Sequence, residues 1–315
     1  MSMRRVRVLA AAAVAAIAGA ALTAAGSPAA AADRLPVPYT FLPNAVVAGM
    51  TPYADPPGAN DWSCRPSAAH PNPVVLVHGT GGNKNTNWQT YAPLLHNNGY
   101  CVYALTYGLY PGDQLPVDQV GGRAPIQQGA AELGAFVDRV LAATGAAKVD
   151  IVGHSQGTLM PDYYVKFLGG ARKVDKYVSL ASLWHGTNTT GAAQLAELGR
   201  VYGFDPVTPI LARYCGACFQ MLTGSPFMQK MRAGGVVVPG VRYTNIVTRY
   251  DELVTPYTSG IQSGMHNIVV QNQCALDFSD HVELAADPVA AADVLNALDP
   301  AHPRPVPCRL VLPAE

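Results

Sequence analysis

The chain has 315 residues, is 49% hydrophobic and carries 21 basic against 21 acidic side chains, a formal net charge of +0. That length supports one large domain with a sizeable core. Balanced charge, with no basic stripe and no acidic block, excludes the electrostatic footprint of a nucleic-acid binder and of a solvating tail.

Residues 1–32 read as a processing segment. Arg4, Arg5 and Arg7 form a positive start, an uncharged alanine-rich run follows from Val8, and Ala30-Ala31-Ala32 offers the small residues needed for cleavage before Asp33. A retained membrane anchor competes with this reading, but an Ala/Gly-rich run holding Pro28 makes a poor span. Arg4-Arg5 also fits a twin-arginine export signal; the nearby Arg7 favours general secretion. Loss of the three arginines leaves 18 basic against 21 acidic residues, a net charge near −3. No second apolar run is long enough to cross a bilayer, so a secreted, extracellular chain without stable membrane insertion is expected. All six cysteines (Cys64, Cys101, Cys215, Cys218, Cys274, Cys308) lie beyond the cleavage point. An even count in an oxidising compartment implies disulfides, and six cysteines allow 15 pairings. Cys215-Gly216-Ala217-Cys218 reads as a small structural disulfide loop rather than a redox or zinc pair, having no second Cys pair nearby and no strand-then-helix context.

A Pro-rich lead-in runs to Pro73. Val74-Val75-Leu76-Val77 is then a short apolar run, the mark of a buried parallel strand, ending at His78-Gly79-Thr80-Gly81-Gly82. Asn87 is placed to cap a helix from Trp88 to about Asn97. Cys101 to Thr106 is a second strand, and a long amphipathic helix spans about Ile126 to Thr144. Lys148 to Val152 is a third strand, running into Gly153-His154-Ser155-Gln156-Gly157; a helix returns over about Thr158 to Leu168. Strands follow at Lys176 to Leu183, Val241 to Thr248 and His266 to Val270. Asp287 caps a closing helix to about Leu298, and the Pro-rich tail 300–315 is expected to lie extended on the surface. The alternation predicts an α/β fold, a mostly parallel sheet with helices on both faces. Residues 191–235 break the rhythm and read as a helical cap, with Phe219, Met221, Leu222, Phe227, Met228 and Met231 as apolar side chains near the site entrance; an ordinary extra helical layer is the alternative. The expectation is a single domain over 33–315.

Gly153-x-Ser155-x-Gly157 between strand and helix is the strongest signal. A nucleophile must stand clear of the sheet on a turn so sharp that only small residues fit on either side, and the helix that follows aims its N-terminal N–H groups at developing negative charge. The oxyanion needs two donors, for which the backbone N–H groups of Gln156 and Thr80 are placed, with the Thr80 hydroxyl as a further candidate. In this architecture the acid and base follow the serine. Asp251, just past a strand, is the candidate acid, with Glu252 as the alternative. Of the later histidines His185 comes too early, His266 begins a strand and His302 lies in the tail, so His281, in a polar loop before the last helix, is the candidate base. His78 precedes the nucleophile and is expected to brace its loop.

On Val77-His78-Gly79-Thr80-Gly81, Gly153-His154-Ser155-Gln156-Gly157, Pro161 to Gly170, His185-Gly186-Thr187 and Asp251-Glu252-Leu253-Val254-x-Pro256, the chain resembles the secreted class 2 lipases of actinobacterial type, similar to the yeast lipase B-like enzymes of the α/β-hydrolase fold. The resemblance implies triacylglycerol lipase or esterase activity with no metal and no cofactor, on an ester or lipid substrate that an oil–water interface can present. It also implies bridges Cys64–Cys101 and Cys274–Cys308, which leaves Cys215–Cys218. His154 departs from the yeast type, which carries Trp there, so pocket shape does not transfer. A monomer is expected. An acyltransferase would use the same triad, passing the acyl group to an alcohol; a non-catalytic binding protein on this scaffold would usually have lost a triad member, and none is missing here.

Overall fold

A run such as Val74-Val75-Leu76-Val77 has no polar side chain to offer water on either face, so it is stable only when covered on both. In the computed structural model, which describes residues 34–51, 53–188 and 213–314, this run is β1 (Val74–Val77) and every residue of it is buried. It pairs with β2 (Val102–Leu105) and β3 (Val149–His154), and the sheet continues through β4 (Val174–Leu180), β5 (Arg242–Val247) and β6 (His266–Val269). The strand order is β2-β1-β3-β4-β5-β6, with every neighbouring pair parallel.

The two-residue period of the strands divides the core in two. Val75, Val77, Tyr103, Leu105, Ile151 and Tyr177 point to one face, where the helices Ile126–Thr144 and Met160–Phe167 cover them. Val74, Leu76, Val102, Val152, Val178 and Ile246 point to the other, under the helices Tyr91–Asn97 and Pro288–Leu298. The Ile126–Thr144 helix has the bounds its apolar period predicts, and Gly145 ends it in the left-handed region at φ 71°. Asp287 caps the last helix, its side chain accepting from the Val289 N–H.

Three local expectations change. Asn87 caps nothing: Asn83 accepts from the N–H groups of Asn85 and Thr86, starting a short helix at Lys84–Asn87, and a separate helix begins at Tyr91. The lead-in holds an unforeseen helix, Phe41–Gly49; Pro43 sits in its first turn, where no intrahelical N–H is lost. Of the expected cap, residues 191–212 lie outside the described residues, as does the processing segment 1–32. The remainder forms two short helices, Gly216–Gln220 and Pro226–Arg232. Met221, Phe227, Met228 and Met231 are buried there, in the same apolar cluster as Tyr163 and Tyr177. Phe227, Met228 and Met231 therefore serve the core, and the reading of Phe227 and Met228 as entrance surface is corrected, whereas Met221 and Leu222 also line the cavity at Ser155.

Disulfides join Cys64 to Cys101, Cys215 to Cys218 and Cys274 to Cys308. The last pins the tail, which among the described residues has no regular element beyond a single bridge of Val311 to Asp277. Among the described residues no helix is long and apolar enough to cross a membrane.

Candidate active site

β3 ends with His154 still extended at φ −124° and ψ 133°. The next residue, Ser155, turns to φ 55°, a region that a residue with a side chain rarely adopts. Packing enforces the turn. A Cβ on Gly153 would lie 1.9 Å from the carbonyl oxygen of Gly157, and one on Gly157 would lie 2.0 Å from that of Val77. The two glycines thus let the elbow press against itself and against β1. Ser155 stays partly exposed within an otherwise buried run.

The loop after β5 and the loop before the last helix meet beside this serine. His281 Nδ1 lies 2.9 Å from both carboxylate oxygens of Asp251. Asp251 is itself fixed, its Oδ1 accepting from the backbone N–H groups of Leu253 (3.0 Å) and Val254 (2.7 Å). A carboxylate at Nδ1 puts the ring proton there and leaves Nε2 free to accept. Glu252 holds the main chain instead, its Oε2 accepting from the backbone N–H of His281 at 3.2 Å. The adjacent carboxylates therefore divide one residue between them, Asp251 taking the ring and Glu252 the backbone.

Ser155, His281 and Thr80 line one cavity of about 730 Å³, walled by Phe41, Val46, Leu183, Met221 and Leu253 among others. Behind Thr80, the buried Gln156 amide donates to Thr80 Oγ1 (2.9 Å) and to the Gly122 carbonyl (2.9 Å), and its oxygen accepts from the Tyr107 hydroxyl (2.9 Å). Thr80 Oγ1 is the acceptor in that bond, so its own proton remains to be donated elsewhere. His78 braces the loop as expected. Its Nδ1 donates to the Gly79 carbonyl at 2.7 Å and its Nε2 accepts from the Tyr107 N–H at 3.3 Å. Burial pushes its pKa down to about 4, so the ring is neutral. His185, His266 and His302 do not line the cavity. Phe41, Ala45 and Val46 do; sequence reasoning missed them because their helix was hidden in a proline-marked lead-in. Among the described residues no group of three or more His, Cys, Asp or Glu side chains is arranged to hold a metal ion.

A parallel sheet with a strained serine between glycines at the carboxyl end of β3, and later loops bringing a carboxylate and a histidine beside it, defines the α/β-hydrolase fold. The chain belongs to the class 2 lipase family, whose model matches residues 71–292. It is 36% identical over 127 residues to a triacylglycerol lipase of Burkholderia plantarii, a match covering 39% of this chain and 32% of that protein. A triacylglycerol lipase of Pseudarthrobacter phenanthrenivorans is 39% identical over 101 residues, covering 30% of this chain and 28% of that protein. The chain thus matches about a third of the length of these curated relatives. Aspergillus fumigatus lipase B superposes with a TM-score of 0.60 at 21% identity, covering 80% of this chain and 57% of that one. Mature Bacillus licheniformis lipase BlEst2 gives 0.54 at 18% identity, covering 74% and 94%. What the chain shares with these two structures is the fold.

Proposed function

We propose that the chain is a carboxylic ester hydrolase of the triacylglycerol lipase or esterase type, acting through an acyl-enzyme on Ser155. The observation that carries this reading is an apolar-walled cavity lined by Ser155, His281 and Thr80, with the His281 ring held by both oxygens of Asp251. His281 Nε2 takes the proton from Ser155 Oγ as the oxygen attacks the ester carbonyl carbon. Asp251 keeps the ring in the required tautomer and stabilises its charged form. The backbone N–H groups of Thr80 and Gln156 hold the tetrahedral oxyanion, with the Thr80 hydroxyl as a third donor. His281 then protonates the departing alcohol, and water attacks the acyl-enzyme by the same route in reverse.

The walls favour an acyl chain over a polar substituent, and a lipid presented at an oil–water interface is the natural source of one. The reading includes export of a mature, monomeric chain from about Asp33 as a single domain with a cap over about 191–235. Three disulfides and the uncharged run after Arg7 support export. Turnover of p-nitrophenyl esters of rising chain length, with acid and alcohol released in equal amounts, tests the proposal. Absence of turnover on every acyl ester would overturn it, and acyl transfer to added alcohol at the expense of free acid would make the chain an acyltransferase.

A further inference from the structure

His154 stands directly before Ser155, lines the same cavity and is only 3% exposed, yet no step above uses it. Its two ring nitrogens reach two other parts of the site. Nε2 lies 2.9 Å from the backbone carbonyl oxygen of His281, and Nδ1 lies 3.2 Å from Asn87 Oδ1. Asn87 Oδ1 also accepts from the backbone N–H of Gly79 at 3.3 Å, and Gly79 precedes Thr80. The buried Asn87–His154 pair therefore touches the loop after β1, the elbow after β3 and the loop that carries His281.

The protons can be placed. Burial, with the neighbouring His281 charge adding to it, pushes the His154 pKa down to about 3, so the ring carries one N–H wherever His281 can act as a base. A carbonyl only accepts, and its contact is the shorter of the two, so that proton sits on Nε2 and is donated to His281. Nδ1 is left as an acceptor. Two acceptors do not bond, so this tautomer requires the Asn87 amide turned over, with Nδ2, buried without a partner as placed, donating to Nδ1 from the 3.2 Å position in exchange for the 3.3 Å Gly79 contact. His281 lies in a turn between the Asp277–Val311 bridge and the short 3-10 helix Glu283–Ala285, and its own backbone groups are held by side chains. Asp251 holds its ring, Glu252 its N–H, and the anchor on its carbonyl is His154.

We propose that His154 is a positioning residue, its Nε2–H fixing the main chain of His281 so that the base meets Ser155, with Asn87 orienting the His154 ring. This rests on the reading of His281 as the base. The residue before the nucleophile is thereby tied to the geometry of the proton transfer, and small misplacements there are costly: an error of about 1 Å can remove on the order of a hundredfold in rate.

The test compares His154→Leu, which fills the space without a donor, with His154→Gln, whose amide can donate from nearly the same point. On a dissolved short-chain p-nitrophenyl ester, His154→Leu should lower kcat on the order of 10–100-fold with KM nearly unchanged. His154→Gln should recover most of that loss, and the rate of phosphonate labelling of Ser155 should follow kcat in both. Melting curves are recorded alongside. A folded Leu variant with native kcat, or a Gln variant as slow as the Leu variant, overturns the proposal. Should the Leu variant fail to fold, Asn87→Ala decides: it should lower kcat at constant KM, and an unchanged kcat overturns the proposal. Ser155→Ala serves as the control, since residual turnover there would fault the nucleophile itself rather than the positioning of the base.

Discussion

At the scale of single residues, a serine hydroxyl becomes a useful nucleophile only where a base can reach its proton and donors await the oxyanion. Ser155→Ala keeps the Cβ that the elbow already houses, so the variant should fold normally and lose on the order of 10⁶ in turnover; ester hydrolysis and a melting curve on the same sample check both halves. Asp251→Asn should cost on the order of 10⁴, because an amide at His281 Nδ1 no longer fixes the tautomer, whereas Glu252→Gln keeps an oxygen for the His281 N–H and should cost far less. A loss at Glu252 equal to that at Asp251 would reverse their roles. The sharp turn at Ser155 was readable in the sequence because sterics leave no choice at Gly153 and Gly157. Position after the strand favoured Asp251 over Glu252, but the separate hold of Glu252 on the His281 backbone was not readable, since the direction of neighbouring loop residues is a property of the folded loop. His154 stood out in the sequence only as a departure from the yeast type; its contacts were not readable for a related reason, since its partners, Asn87 and His281, lie 67 and 127 residues away.

At the scale of elements, the last helix and its approach carry a buried acid network. Asp287 caps the Pro288–Leu298 helix and is linked through the Ser279 hydroxyl to Asp277. Burial, reinforced by the Asp277 charge, pushes the Asp287 pKa up to about 8. A carboxyl group raised in this way holds its proton better folded than unfolded. Its contribution to stability is complete below the ordinary carboxylate range and is lost as pH rises through about 8. Asp287→Asn retains an oxygen for the Val289 N–H and cannot ionise. Relative to the native chain it should gain stability from pH 5 to pH 9, reaching roughly a few kcal/mol at most. Melting curves across that range test this, and parallel curves for the two proteins would contradict it. Disulfides act on the same elements. Cys64–Cys101 and Cys274–Cys308 span 37 and 34 residues; each should contribute about 3–4 kcal/mol by loop closure. Cys215–Cys218 spans 3 and should contribute much less, so paired Cys→Ala variants should separate into these two groups on melting. Long, strongly periodic elements such as Ile126–Thr144 were legible, as was the parallel sheet. The Phe41–Gly49 helix was not: it is nearly all apolar, shows no amphipathic period, and opens with a proline in its first turn. The cap at Asn83 was hidden by Asn87, an equally good capping residue four positions on; only the folded chain shows which side chain meets free N–H groups.

At the scale of the whole molecule, that unforeseen helix changes where a lipid would meet the protein. The large apolar side chains of 226–232 are core, Met228 being 1% exposed. Exposed apolar surface lies instead along the Phe41–Gly49 helix and its end, with Val47 at 65% and Met50 at 78%, beside Phe41 and Val46 of the cavity wall. Nothing charged lies between Thr40 and Thr51. A patch of this kind at a cavity entrance suits contact with an oil surface. Val47→Glu and Met50→Glu should therefore reduce hydrolysis of emulsified triglyceride several-fold while leaving dissolved short esters nearly untouched; equal loss on both substrates would contradict this. Phe227→Asp, by contrast, should lower both activities and the melting temperature together, since it places a charge in the core. Periodicity and composition could say that 191–235 is apolar but not which way the side chains face, because core and surface patch share one vocabulary of residues. The central claim, that one serine at the β3 elbow performs the chemistry, meets its most direct test in covalent labelling. The mature chain, treated with an alkyl phosphonate and mapped by peptide mass spectrometry, should carry one adduct, on Ser155, with ester hydrolysis lost in proportion to labelling. An adduct on another residue, or full activity after Ser155 is blocked, would contradict the account.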